Sequence, residues 1–215
     1  MKRPATLLAH ATLSLLLFWL PHQFAAAMTF TARMMKGEPI IIATGEIKTG
    51  DDLRLKAQLT KKNMHSAGYF AMALASEGGS VEAAFALSKL MDDYPINTYV
   101  APGASCMSAC AAIVFIAGKE HVAVPGAKLG FHGCFERKTK KIDAECNERI
   151  ANHALEHGTA YGSVMAFIQT VEPGRVVWLD GKDADCWAIN KYQISPEPPG
   201  YEKCVIDGIK RILAK

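Results

Sequence analysis

Short apolar runs of strand length alternate with stretches of helical period along most of this chain, and that alternation limits the fold more than any other feature. Residues 39–47 (PIIIATGEI), 68–75 (GYFAMALA) and 96–100 (INTYV) are β-rich and nearly continuous in apolar character. Residues 51–62 read as an amphipathic helix with acidic residues in its first turn, where the helix dipole favours negative charge. Ser80 is a natural N-cap for a helix through Asp92, with Val81, Ala84, Phe85, Leu87, Leu90 and Met91 on its inner face. Residues 108–117 predict a small-residue helix ended by Gly118. Two further short strands are expected at 121–124 and 128–132, and 141–169 should be largely helical with a break near Gly158. After Arg175 the elements shorten, and Pro196, Pro198 and Pro199 mark a loop before a last helix at 205–213. Strands that lack polar alternation need cover on both faces, so the pattern points to an α/β fold with a covered sheet.

Residues 1–27 have the layout of a secretory signal peptide. Lys2 and Arg3 form the positive end, residues 7–20 are mostly apolar, and Ala25-Ala26-Ala27 supplies the small residues of a cleavage site. The apolar run is short of the ~20 residues a membrane span requires. Export to the periplasm or the medium is therefore expected, with an uncleaved N-terminal anchor as the alternative. Cleavage after Ala27 leaves residues 28–215, enough for one domain with its own core. The formal charge of +3 includes Lys2 and Arg3, so the mature chain is close to neutral. That balance gives no support for nucleic-acid binding. The one basic run, Arg137-Lys138-Thr139-Lys140-Lys141, is followed by Asp143 and Glu145 and reads as a solvated loop. No Gly-x-Gly-x-x-Gly after a strand and no phosphate loop is present, so no nucleotide cofactor is expected.

All six cysteines, Cys106, Cys110, Cys134, Cys146, Cys186 and Cys204, lie after the leader. An even number in an exported chain favours disulfides. The expected bridges are Cys134–Cys146 across the basic loop and Cys186–Cys204 at the C-terminus. Cys106 and Cys110, which flank Ser108, either bridge each other or stay as small buried hydrophobes. Their spacing with Cys134 and His132 matches no common zinc knuckle, so no metal is expected.

Chemistry concentrates in two strand–turn–helix units. The first ends in Ser76-Glu77-Gly78-Gly79-Ser80, the second in Ala101-Pro102-Gly103-Ala104-Ser105-Cys106-Met107-Ser108-Ala109-Cys110. Each places small residues at a helix start, where backbone N–H groups are unpaired and suit a developing oxyanion. A third segment, Leu129-Gly130-Phe131-His132-Gly133, brings a histidine to a strand end. These segments resemble the proteolytic subunit of the Clp protease and its relatives in the ClpP/crotonase superfamily. The separations, 29 residues from Gly79 to Ser108 and 24 from Ser108 to His132, are close to those of that family. The likeness is specific over residues 70–133.

The resemblance implies a spiral of ββα units and a serine hydrolase, peptidase-like in its substrates. Ser108 would be the nucleophile and His132 the base, with Gly79 and Ala109 as oxyanion-hole donors. It implies no cofactor and leaves room for a homo-oligomer; no ATPase partner is expected outside the cytosol. The family's third residue, an acid, falls near Val176 here. Asp180 is the nearest candidate to replace it, among Glu172, Asp183 and Asp185. Ser105 is a competing serine. His121, His153 and His157 read as surface or helix residues, and Trp178 and Trp187 as packing of the C-terminal junction. Two other classes stand beside the hydrolase: a non-catalytic binding module on the same scaffold, and a crotonase-like acyl-CoA enzyme, which export disfavours.

Overall fold

A computed structural model describes residues 27–191, except 137, 170 and 173. The leader, the last helix expected at 205–213 and Cys204 lie outside the described residues. Strands β1 (Thr29–Met35) and β2 (Glu38–Thr44) form an antiparallel hairpin through Lys36-Gly37, both at positive φ as a tight two-residue turn requires. The sheet continues in parallel through β3 (Phe70–Ala75), β4 (Ile96–Val100) and β6 (His121–Ala123). A second sheet holds β5 (Ser105–Met107), β7 (Lys128–Phe131) and β8 (Val177–Asp180), in the order β5-β7-β8.

The chain winds between the two sheets in repeated turns. Strand β4 feeds β5 and then a buried helix, Cys110–Phe115; β6 feeds β7 and then α3 (Ala144–Glu156). Strand β3 runs through Ser76, which bridges Cys106 of β5, into α2 (Val81–Asp92). These are the ββα turns of the expected spiral. Helices α1 (Asp51–Lys56), α4 (Tyr161–Ile168) and α5 (Gly181–Cys186) complete the described part.

The core sits where the turns stack. Every residue from Ala111 to Gly118 is buried, so this helix is apolar all round, as a central helix should be. Its alanines let β5, α2 and α3 approach closely. Phe115, Phe131, Phe167, Met72, Leu74 and Leu87 fill the space around it.

Three expectations change. The first helix stops at Lys56, and a 3-10 turn at Lys61–Asn63 follows, because only Asp51 and Leu55 are buried and Leu53 faces solvent. Strands β1 and β5 lie in segments without a strand-like signal of their own and form by pairing with β2 and β7. His121 is not a surface residue. It is fully buried in β6, where Nδ1 lies 3.1 Å from the Gly118 carbonyl and Nε2 3.1 Å from Thr159 Oγ1. Burial pushes its imidazole down to about 4.

Candidate active site

Ser108 follows the last residue of β5 and adopts φ +57°, a left-handed conformation that is rare for a residue with a Cβ and costs about 1 kcal/mol or more. A sharp turn between a strand and a helix demands it: β5 must end and the next helix must begin within two residues. Three contacts hold the turn. The Ser108 N–H donates to the Gly130 carbonyl of β7 at 2.8 Å. Its carbonyl accepts from Ala112 N–H at 2.9 Å. A disulfide joins Cys106 to Cys110 beneath it, with Cα atoms 5.3 Å apart. Ser105 shares the cleft but sits in regular β5 backbone, paired with Lys128.

Gly78 is packed against that turn. A Cβ there would lie 2.6 Å from the Met107 carbonyl oxygen and 2.7 Å from Ser108 Cβ, so only glycine fits. Gly79 forms a parallel bridge with Ile47: Ile47 N–H donates to Gly78 O at 2.8 Å and Ser80 N–H to Ile47 O at 2.9 Å. In a parallel ladder those two bonds turn the intervening N–H away from the partner strand. Among the described residues neither the Gly79 nor the Ala109 N–H meets a protein acceptor. Both residues line a cleft of about 1020 Å³ together with Ser108 and His132. Ser80 caps α2 as expected, accepting from Ala83 N–H at 3.2 Å.

His132 comes one residue after β7, two residues beyond the Gly130 carbonyl that anchors Ser108, a reach of ~7 Å along an extended chain. Its Nδ1 lies 2.9 Å from the Gly133 carbonyl oxygen. A carbonyl only accepts, so this contact requires the proton on Nδ1, and in the neutral ring that leaves the lone pair on Nε2. No hydrogen bond joins Ser108 Oγ to the imidazole among the described residues. The Phe135 ring packs near it, 5.9 Å between centroids. The far wall is built by the Cys134–Cys146 disulfide, formed as expected, which ties the end of the β7 segment to α3. Cys186 is also disulfide-bonded; its expected partner, Cys204, lies outside the described residues. With Cys106, Cys110 and Cys134 all in disulfides, no thiolate remains among them for zinc.

Asp180 does not reach His132. In the antiparallel pair β7–β8, Val177 is opposite Phe131 while Asp180 is opposite Lys128, at the far end of the strand. Its carboxylate accepts the Lys182 and Asp183 N–H groups at 2.9 Å and caps α5 in a reciprocal box. Antiparallel direction decides this: each step past Val177 carries β8 away from the histidine. Sequence reasoning missed the Gly133 carbonyl, which leaves no signal in residue type, and the left-handed turn at Ser108, for which the flanking cysteines are the only trace.

No family model and no curated protein matches this chain. Solved structures do. A variant of ClpP1 from Listeria monocytogenes is 18% identical with a TM-score of 0.52, over 68% of this chain and 85% of that one. A variant of a membrane-bound stomatin-specific protease, solved with a substrate peptide, is 17% identical with a TM-score of 0.53, over 70% of this chain and 71% of that one. The fold is ClpP-like. Among the described residues no helix is long and apolar enough to cross a membrane.

Proposed function

We propose that this chain, on its ClpP-like fold, is an exported serine hydrolase with peptidase-like chemistry. The observation that carries the reading is the left-handed Ser108 at a strand–helix turn, on one cleft with His132 and two unpaired backbone N–H groups. A serine hydroxyl is a weak nucleophile until a base takes its proton. His132 Nε2, left with its lone pair, serves as that base. As Ser108 Oγ bonds to the substrate carbonyl carbon, its proton passes to Nε2 and the carbonyl oxygen becomes an oxyanion. The Gly79 and Ala109 N–H groups donate to that oxyanion. The imidazolium then protonates the leaving amine or alcohol, and water releases the acyl group by the same steps in reverse.

Among the described residues the Gly133 carbonyl takes the orienting part that an acid would play. It sets the tautomer, but a neutral carbonyl stabilises an imidazolium less than a carboxylate does, so a slow enzyme is expected. Substrates are peptides or small esters and amides; neither a nucleic acid nor an ATPase has a part in the chemistry, and a homo-oligomer is compatible with it. The leader is proposed to be removed after Ala27.

Labelling with a fluorophosphonate tests the reading. Wild type should be modified at Ser108, and Ser108→Ala and His132→Ala should each abolish modification while remaining folded. Hydrolysis by Ser108→Ala at the wild-type rate would overturn the assignment. A second reading, a non-catalytic binding module, is favoured because among the described residues no carboxylate is hydrogen-bonded to or ion-paired with His132; a folded wild type that is never labelled yet binds peptide saturably would select it.

A further inference from the structure

Ser108 is the central residue of a five-residue ring that the Cys106–Cys110 disulfide closes. Both cysteines are fully buried, one on the inward face of β5 and the other at the first position of the following helix. The serine between them is partly exposed on the cleft. The bridge is thus a chord drawn under the turn, from the strand's last inward residue to the helix's first. We propose that this disulfide is a positioning device for the nucleophile: by fixing both ends of the turn at 5.3 Å, it holds Ser108 in the left-handed conformation that presents Oγ to the cleft. The proposal rests on the reading of Ser108 as the nucleophile.

The other contacts at this turn do not impose that conformation by themselves. The bond from Ser108 N–H to Gly130 O fixes the amide preceding the serine, and the close face of Gly78 only leaves room for the Cβ. A left-handed residue with a side chain persists only where its surroundings over-determine it. A covalent link between residues two before and two after the serine removes the relaxed turns that would return φ to negative values. Such a return swings Cβ, and with it Oγ, about the N–Cα bond and away from the two oxyanion donors. The effect falls on the reacting atom and not on the cleft walls, so turnover should suffer more than substrate binding.

The test compares full-length wild type with Cys106→Ala/Cys110→Ala. Labelling of Ser108 by a fluorophosphonate should slow at least tenfold in the double variant. With an ester substrate kcat should fall while KM stays within about twofold. The pH dependence of labelling should keep its midpoint, because His132 and the Gly133 carbonyl are untouched. The three-bond HN–Hα coupling of Ser108 reports φ without any need for activity; it should show the left-handed value in wild type and an average over conformers in the variant. A folded double variant with wild-type labelling and coupling overturns the proposal. If the double variant does not fold, Cys110→Ala, which keeps Cys106 as a buried thiol, is read in the same way; failure of both to fold assigns the bridge to the core as a whole and also overturns it. If wild type itself is never labelled, the hydrolase reading fails, and the coupling alone judges the disulfide.

Discussion

The arrangement around Ser108 depends on what is absent at residue 78. Gly78 has φ +90°, and a methyl group there would strike the Met107 carbonyl and Ser108 Cβ. Gly78→Ala should therefore destabilise by about 3 kcal/mol, from strain and overlap together. It should also abolish fluorophosphonate labelling in whatever folds. Gly68→Ala is the control: φ is nearly the same, +86°, but open space surrounds the site. It should cost only about 1 kcal/mol and leave labelling unchanged. Equal effects of the two, read by urea denaturation and labelling rate, would show that the contact with Ser108 is unimportant.

At the scale of elements, the spiral turns bring strand ends together, and Asp180 illustrates how strictly direction governs which residues meet. It starts α5, and its cap is worth about 1 kcal/mol. Asp180→Ala should lower stability by that amount and leave Ser108 labelling within twofold of wild type. A loss of a thousandfold in labelling would restore Asp180 as the partner of His132. Helices α2 and α3 are joined similarly at their surfaces: Arg149 forks onto Glu82 at 2.6 and 2.8 Å and lies over Phe85. That pair is exposed, so its contribution is small. Within α2 and α3 themselves, Ser88 and His153 meet as a buried pair 2.7 Å apart.

For the molecule as a whole, two buried histidines tie stability to pH. Burial holds His121 at about 4 and His153 at about 3, both below the 6.5 of an unfolded chain. Lys191 and His157 oppose a charge on His121; His157 does so at His153, where Asp92 favours it. The unfolded chain thus binds these protons first as pH falls. Stability is complete above pH 6.5, declines as pH drops below it, and levels off once each folded histidine titrates. His121 alone should account for roughly 3 kcal/mol between neutrality and pH 4. Urea midpoints should fall from pH 7 to about 4.5 in wild type and fall less in His121→Gln. Parallel curves for the two proteins would remove His121 as the cause.

Local chemistry in the chain determined the class of fold and the addresses of the candidate residues. The α/β alternation, the N-cap at Ser80, the break at Gly158 and the Cys134–Cys146 bridge all follow from neighbours within about a dozen residues, and these were legible. Ser108, His132, Gly79 and Ala109 were nominated by the likeness of their spacing to the Clp family, and the structure sets all four on one cleft. What only the tertiary structure decided depends on pairing across long separations. Strand β5 exists because Cys106 meets Leu129, and the left-handed Ser108 is enclosed by Gly130 and Gly78, which two other segments bring against it. His121 is buried because α5 and the loop between α3 and α4 pack on β6, and Asp180 lies at the far end of β7 from the histidine because β8 runs antiparallel to β7. A residue's type records its own propensity and that of its near neighbours; which strand ends meet is set by the register of the whole sheet, and the geometry of the cleft is built at those ends.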